Sequence, residues 1–418
     1  MKTEFTEAQL ADPDVRVAAQ QLRNCVHCGF CLAACPTYAL VGSELDSPRG
    51  RIVLMQDLLE RGEATPAVIH HVDRCLSCLA CQTACPSGVH YMHLVDHARA
   101  TIESQAVRPW PERLQRALLG WLLPYPARFR WALALAPLGR LMAPWLPSFL
   151  QPMIDLAPAK AVRRWIPPPA PAPDPQKPRI ALLVGCVQSV LDADVHDATV
   201  RVLERLGAQV VVIDGLGCCG AVPHHLGQHD AMLGFVRQNV EALRPHLRTL
   251  HAIVSTVSGC GTMLEDYGHL LRNDPLAAEA ARVSELSCDV LEAVETLGWP
   301  DDAKAPEPRR VAYHAACSLQ HGQGVREVPK ALLRRIGHTV LEPVDPHLCC
   351  GSAGTYNLLQ PALATSLGTQ KAAALAATDP EVIAAGNIGC AIQIGRHTDR
   401  PVRHPIQLLD EALPAPTP

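Results

Sequence analysis

Two short cysteine runs constrain this chain more than any other feature. The first is Cys25-Val-His-Cys28-Gly-Phe-Cys31-Leu-Ala-Ala-Cys35-Pro36. The second is Cys75-Leu-Ser-Cys78-Leu-Ala-Cys81-Gln-Thr-Ala-Cys85-Pro86. Three thiolates at that spacing wrap one four-iron cubane, and the fourth, just before proline, reaches the neighbouring one. The pattern assigns Cys25, Cys28, Cys31 and Cys85 to one [4Fe–4S] cluster. It assigns Cys75, Cys78, Cys81 and Cys35 to a second. Thiolate is soft and strongly donating, which suits iron–sulfur chemistry and zinc alike. Two structural zinc sites are the competing reading, but zinc usually takes cysteine pairs divided by a longer spacer. His27, inside the first run, reads as a solvated or packed residue.

The chain has 17 cysteines in 418 residues. An odd count, with no apolar segment of a signal peptide between Met1 and Leu22, does not read as a disulfide framework. The expected compartment is the reducing cytoplasm, where such thiols bind metal or do redox chemistry. No stretch reaches the roughly 18 uncharged apolar residues of a membrane span, which leaves peripheral contact with the inner face of a membrane open. A net charge of -4 carries no basic excess and argues against nucleic acid.

The length suggests two or three domains, and the cysteines divide the chain into zones. Residues 1–106 hold eight, residues 107–178 none and residues 179–418 nine. The first zone reads as an α-helical ferredoxin-type domain, because Gly50 to Gly62 carries helical periodicity with a glycine stop. The middle zone holds Trp110, Trp121, Trp131, Trp145 and Trp165. It has no acidic residue between Glu112 and Asp155, but it has Arg113, Arg116, Arg128, Arg130 and Arg140. That is the composition of an interfacial segment, broken into short pieces by Pro124, Pro126, Pro137, Pro144 and Pro147. It ends in a proline linker, Pro167 to Pro173.

The third zone is duplicated. Cys186 is followed after 31 residues by Cys218-Cys219-Gly220, and 40 residues separate Cys219 from Cys260. Cys317 is followed after 31 residues by Cys349-Cys350-Gly351, and 39 separate Cys350 from Cys390. Only two copies occur, so this is a repeated module and not a solenoid. Its expected boundaries are 179–300 and 301–418. Apolar strands alternate with helices in each copy. That implies βαβ units and parallel sheets, with the cysteines at the carboxyl edge where such sheets bind ligands. The fold class expected is α+β multidomain. Adjacent cysteines do not easily bond each other, so each pair reads as facing a shared ligand. A further cluster, a zinc ion, a redox disulfide and plain burial are all open readings of these eight residues. Cys288 stands outside the pattern and reads as inert.

Other signals are weaker. His224-His225 reads as a solvated loop pair. Gly322-Gln-Gly324 neither leaves a strand nor has the third glycine of a dinucleotide fingerprint, and there is no P-loop or nucleophile elbow. No flavin or nicotinamide site is expected here, so the two-electron chemistry is expected on another subunit.

With these motifs in order, the whole chain resembles the iron–sulfur subunit of glycolate oxidase. The resemblance rests on both cysteine runs, Leu45-Asp-Ser-Pro-Arg-Gly-Arg-Ile52, Gly217-Cys-Cys-Gly-Ala-Val222, Ser258-Gly-Cys-Gly261, His347-Leu-Cys-Cys-Gly-Ser-Ala-Gly-Thr-Tyr356 and Asn387-Ile-Gly-Cys390. It implies a complex with FAD-binding subunits that oxidise glycolate to glyoxylate, two [4Fe–4S] clusters here, and a quinone-type acceptor. The same module order occurs in iron–sulfur subunits serving lactate or glycerol 3-phosphate, and in heterodisulfide reductases. In the last, the module ends in C-x-x-C and holds unusual clusters. Here Cys260 and Cys390 stand alone, which argues against a thiol–disulfide enzyme.

Overall fold

The computed structural model describes residues 1–105, 108–158, 163–169, 172 and 174–413. Residues 170, 171 and 173 of the expected proline linker, and the boundary at residue 106, lie outside the described residues.

The N-terminal part is helical, as its periodicity requires. The helix Pro48–Arg61 opens on Ser47, whose side chain accepts the Gly50 N–H, and stops at Gly62 with φ of +73°. Both ends obey ordinary capping chemistry. Gly50 is obligatory for a different reason: a Cβ there would stand 2.0 Å from the Glu44 carbonyl oxygen. The helices Pro13–Asn24, Pro48–Arg61, Pro66–Asp73 and Tyr91–Ser104 bury Leu22, Met55, Leu58, Val72, Leu94 and Ile102 in one core. The two cysteine runs fill the turns between these helices.

Each half of the C-terminal part forms a four-stranded parallel sheet. The first comprises β1 (Arg179–Leu183), β2 (Gln209–Val211), β3 (Ala252–Ser255) and β4 (Ser287–Asp289), in the order β2-β1-β3-β4. The second comprises β5 (Arg310–His314), β6 (Thr339–Leu341), β7 (Val382–Ala385) and β8 (Val402–Arg403), in the order β6-β5-β7-β8. Registers match as well, with Ile180 opposite Ala252 in one and Val311 opposite Val382 in the other. Strands β4 and β8 are too short to be read from sequence, and Cys288 lies on β4 beside the core. The eight cysteines of the repeated pattern sit beyond the strand ends, not on them. Cys260 and Cys390 fall in the first turns of the helices Ser258–Glu265 and Ile388–Gly395. One apolar core runs through both halves, from Ile180 and Leu203 to Leu332 and Leu408.

Between these parts lie the helices Trp110–Leu122, Pro126–Met142 and Gln151–Leu156. Pro137 does not break the second of them, contrary to the expectation from sequence. It lies on the exposed side of the helix, which continues past it despite the missing N–H. Trp165 also departs from the interfacial reading: it is buried, with its indole N–H donated to Asp197 at 2.8 Å. Trp110, Trp121, Trp131 and Trp145 are exposed. Among the described residues, no helix is long and apolar enough to cross a membrane.

Candidate iron–sulfur and thiol sites

The two cysteine runs adopt the same backbone. His27 (φ +56°) and Gly29 (φ +84°) flank Cys28, and Ser77 (φ +48°) and Leu79 (φ +62°) flank Cys78. These left-handed residues turn the chain around a common centre. Glycine accepts that conformation freely, whereas Leu79 is strained by it, as happens where the surroundings over-determine the backbone. Residues Cys25, Cys28, Cys31 and Cys85 border one small cavity. Residues Cys35, Cys75 and Cys78 border a second, and Cys81 touches both. Among the described residues, no cysteine is in a disulfide. Burial pushes the Cys31 thiol up to about 11 and those of Cys78 and Cys81 well above their usual range. A bound cationic metal group removes that cost by holding thiolates.

The surroundings favour negative sulfur. Ser77 donates its N–H to the Cys75 sulfur at 3.4 Å, and the Tyr91 hydroxyl lies 3.8 Å from it. Arg51 is buried and reaches the Cys35 sulfur at 3.8 Å, the Thr37 hydroxyl at 3.0 Å and Asp46 at 3.3 Å. Burial alone would raise the Asp46 carboxyl, but the His71 hydrogen bond and the Arg51 and Arg74 charges outweigh it and hold it below the usual range. The Asp-Ser-Pro-Arg-Gly-Arg motif is therefore a buried ion pair and a helix start, placed to present a guanidinium to one thiol.

The duplicated modules repeat one local device. Gly220 and Gly351 have φ of +93° and +85°, which turns their N–H groups back onto the Cys218 and Cys349 sulfurs at 3.4 Å. A side chain at Gly351 would also press within 2.7 Å of the Ala364 carbonyl oxygen. Adjacent cysteines do not share a partner. Cys218 meets Cys186 at 3.5 Å, while Cys219 meets Cys260 at 3.2 Å. The Cys218 thiol is pulled well below its usual range by hydrogen bonds from Cys186 and Cys219, helped by backbone N–H groups of Gly220 and Val222. In the second module His314, Cys350 and Cys390 bring their donor atoms within 4.8 Å of one another. His314 is buried with both ring nitrogens unpartnered, and burial holds it neutral. It was not among the candidates read from sequence. Its signal is faint: a histidine at the end of β5, three residues before Cys317, where the first module has Leu183.

His224-His225 is not a solvated loop pair. It ends the short helix Ala221–His225, with His224 Nε2 3.0 Å from Asp96 of the N-terminal part. That contact, with His93 to Asp266 at 2.9 Å, joins the N-terminal part to the first module. The second module joins through an apolar contact in which Leu40, Leu76 and Cys78 pack with Cys317, Cys349 and Tyr356. Thiols of the second run and the second module thus share one packed cluster.

The comparisons agree with this geometry. The family model described as a 4Fe-4S dicluster domain matches residues 21–89. The one described as a cysteine-rich domain matches residues 180–265 and 311–395. A relative in Escherichia coli K12, the glycolate oxidase iron–sulfur subunit, is 42% identical over 99% of both chains. The probable glycolate oxidase iron–sulfur subunit of Bacillus subtilis is 32% identical over 91% of this chain and 89% of its own. The lactate utilization protein A of Bacillus licheniformis is 27% identical over 53% of this chain and 92% of its own. Two cysteine runs in a helical domain, two parallel-sheet modules in the same order and these full-length likenesses place the chain in the family of glycolate oxidase iron–sulfur subunits.

Proposed function

We propose that this chain, an iron–sulfur electron-transfer subunit of glycolate oxidase, carries electrons from FAD-bearing partner subunits that oxidise glycolate to glyoxylate toward a quinone-type acceptor. Cys25, Cys28, Cys31 and Cys85 would hold one [4Fe–4S] cluster, and Cys75, Cys78, Cys81 and Cys35 the other. When bound, the clusters supply one-electron transfer. The observation that carries the reading is the crossed grouping of the two runs, in which each lends its last cysteine to the other's cavity. The domain division 1–106, 107–178, 179–300 and 301–418 is part of the proposal.

The chain's own residues favour a direction. Cys28 is exposed, and Val26 and Phe30 beside it are each 68% exposed. Apolar side chains at a surface cluster suit a partner contact. The second run is covered by the second module instead. Electrons would therefore enter at the first run and leave at the second. Arg51 beside Cys35 favours the more reduced state there, since a buried positive charge stabilises added negative charge. In the second module, His314, Cys350 and Cys390 offer a donor set for a further soft metal or cluster. The exposed tryptophans at Trp121, Trp131 and Trp145 suit peripheral contact with a membrane face.

The test is iron and acid-labile sulfide per chain after anaerobic purification, with glycolate-driven reduction once the flavoprotein partners are added. About eight irons, as two cubanes require, and reduction by glycolate only with the partners present would support the reading. A colourless, zinc-containing chain would refute it.

A further inference from the structure

One sizeable cavity belongs to neither of the cysteine runs. It measures about 390 Å³ and lies where the helices Trp110–Leu122, Pro126–Met142 and Gln151–Leu156 meet both cysteine-rich modules. Leu119, Phe129, Leu133 and Met153 give it apolar walls. Among the described residues, no Asp, Glu, Lys or Arg lines it. Cys186, Cys219 and Cys260 of the first module form part of the same wall.

We infer that this cavity is the binding site of an isoprenoid quinone, with the ring held toward the thiols and the tail leaving between the tryptophan-bearing helices. The inference rests on the electron-transfer reading above and adds the place where the acceptor binds. Its size falls within the roughly 300–1,000 Å³ of small-molecule sites. The mouth is marked by Leu135, which lines the cavity and is also 60% exposed. Trp121 and Trp131, on the same two helices, are exposed. A lipophilic ligand could therefore enter from a membrane face beside these side chains, past the Arg128 guanidinium that covers the Trp121 ring, into a cavity whose lining is uncharged.

The polar groups on the wall select for a carbonyl-bearing ring. Gln188, Asn357 and Asn387 spend their amide groups on Asp192, Gln393 and Ser258. The His225 ring and the Ser352 hydroxyl also line the cavity. Burial holds the His225 ring down to about 4, hence neutral, so it offers a hydrogen bond and no charge. Reduction at this site balances. Glycolate oxidation on the partner releases two electrons and two protons. The quinone takes up two electrons through this chain and two protons from water, and both carbonyl oxygens become hydroxyls.

The test is equilibrium binding of decyl-ubiquinone to the full-length, iron-loaded chain. One equivalent should bind, and Ala136→Trp, which fills the cavity, should weaken it by about tenfold or more. Undiminished binding to Ala136→Trp, or equally strong displacement by decanol, which lacks the ring, would overturn the inference. In case that variant fails to fold, an azidoquinone photolabel on the wild type gives a second answer. Label within residues 119–158 or 185–191 supports the site, and label confined elsewhere contradicts it. Glycolate-driven reduction of a water-soluble dye by the wild-type complex separates the two readings. If dye is reduced but the quinone tests fail, only this site falls. If dye is not reduced, the electron-transfer reading falls with it.

Discussion

The two cysteine-rich modules have the same strand order, the same glycine turn and the same cysteine register, yet they are chemically different. The first has Leu183 at the end of its leading strand, and the second has His314. The buried face of the helix His229–Leu243 reads Met232, Val236, Asn239, Val240 and Leu243. That of Pro361–Ala376 lines up with it as Ala364, Gly368, Lys371, Ala372 and Leu375. Asn239 is neutral and ties down the cysteine loop through Gly217 N–H and the Cys218 carbonyl, each at 2.8 Å. Lys371 ties down the matching loop through the Asp345 and Pro346 carbonyls, but it also sets a buried amine near four thiols, its pKa lowered by burial and partly restored by their charge. Both copies thus have a loop tether, while only the second has a histidine at the strand end and an amine in the tether. The second copy's Cys317 and Cys349 pack against the second cysteine run, whereas the first copy's Cys186, Cys219 and Cys260 line the apolar cavity, to which both copies lend walls. Duplication conserves what the fold needs and releases what the site can vary.

The largest effect that would sharpen this contrast concerns metal. Cys350→Ser should lower any metal retained beyond the two ferredoxin-type clusters, whereas Cys219→Ser should leave metal content unchanged. Metal analysis of both variants beside the wild type decides it, and equal losses would erase the asymmetry. Next in size are the tethers. Lys371→Met and Asn239→Leu should each cost about 1–3 kcal/mol, the usual penalty for orphaning buried polar groups. Chemical denaturation reads both costs, and only Lys371→Met should also slow thiol alkylation in its own module.

The turn glycines differ in degree. Gly220→Ala should cost about 1–2 kcal/mol for its left-handed backbone. Gly351→Ala should cost more, because its new methyl would also meet the Ala364 carbonyl. Matching melting shifts would show that the second loop relaxes.

The smallest effect concerns how each module docks. Burial alone would lower the His224 pKa, but the charge and hydrogen bond of Asp96 outweigh it and raise it. Its contribution is complete below its unfolded value of about 6.5 and is lost as pH rises through the raised folded value. Asp96 is held below the usual range against its burial, so its contribution disappears only as pH falls through that lowered value. Docking of the first module should therefore be tightest in mild acid and loosen in alkali. The apolar contact of the second module should change little. Limited proteolysis across pH, read at the two modules separately, measures the difference.

How much of this is legible in the sequence depends on how local each signal is. The cysteine runs, the repeat and β1, β2, β3, β5, β6 and β7 follow from spacing and short apolar runs, which act over a few residues. The crossed grouping of Cys35 and Cys85 is legible because the run itself carries that geometry. His314, Lys371 and the cavity are not, because each gains meaning only when distant segments pack. His224-His225 is misread from sequence for the same reason: Asp96 lies more than a hundred residues away in the chain. Trp165 is misread because tryptophan in a proline-rich stretch carries no sign of which face it turns inward.

The measurement that tests the central claim most directly is reduced-state EPR on the full chain and on Cys28→Ser, Cys85→Ser and Cys35→Ser. The crossed arrangement predicts that Cys28→Ser and Cys85→Ser alter the same cluster signal while Cys35→Ser alters the other. If Cys28→Ser and Cys35→Ser changed one signal together, each run would hold its own cluster, and the crossed arrangement would be wrong.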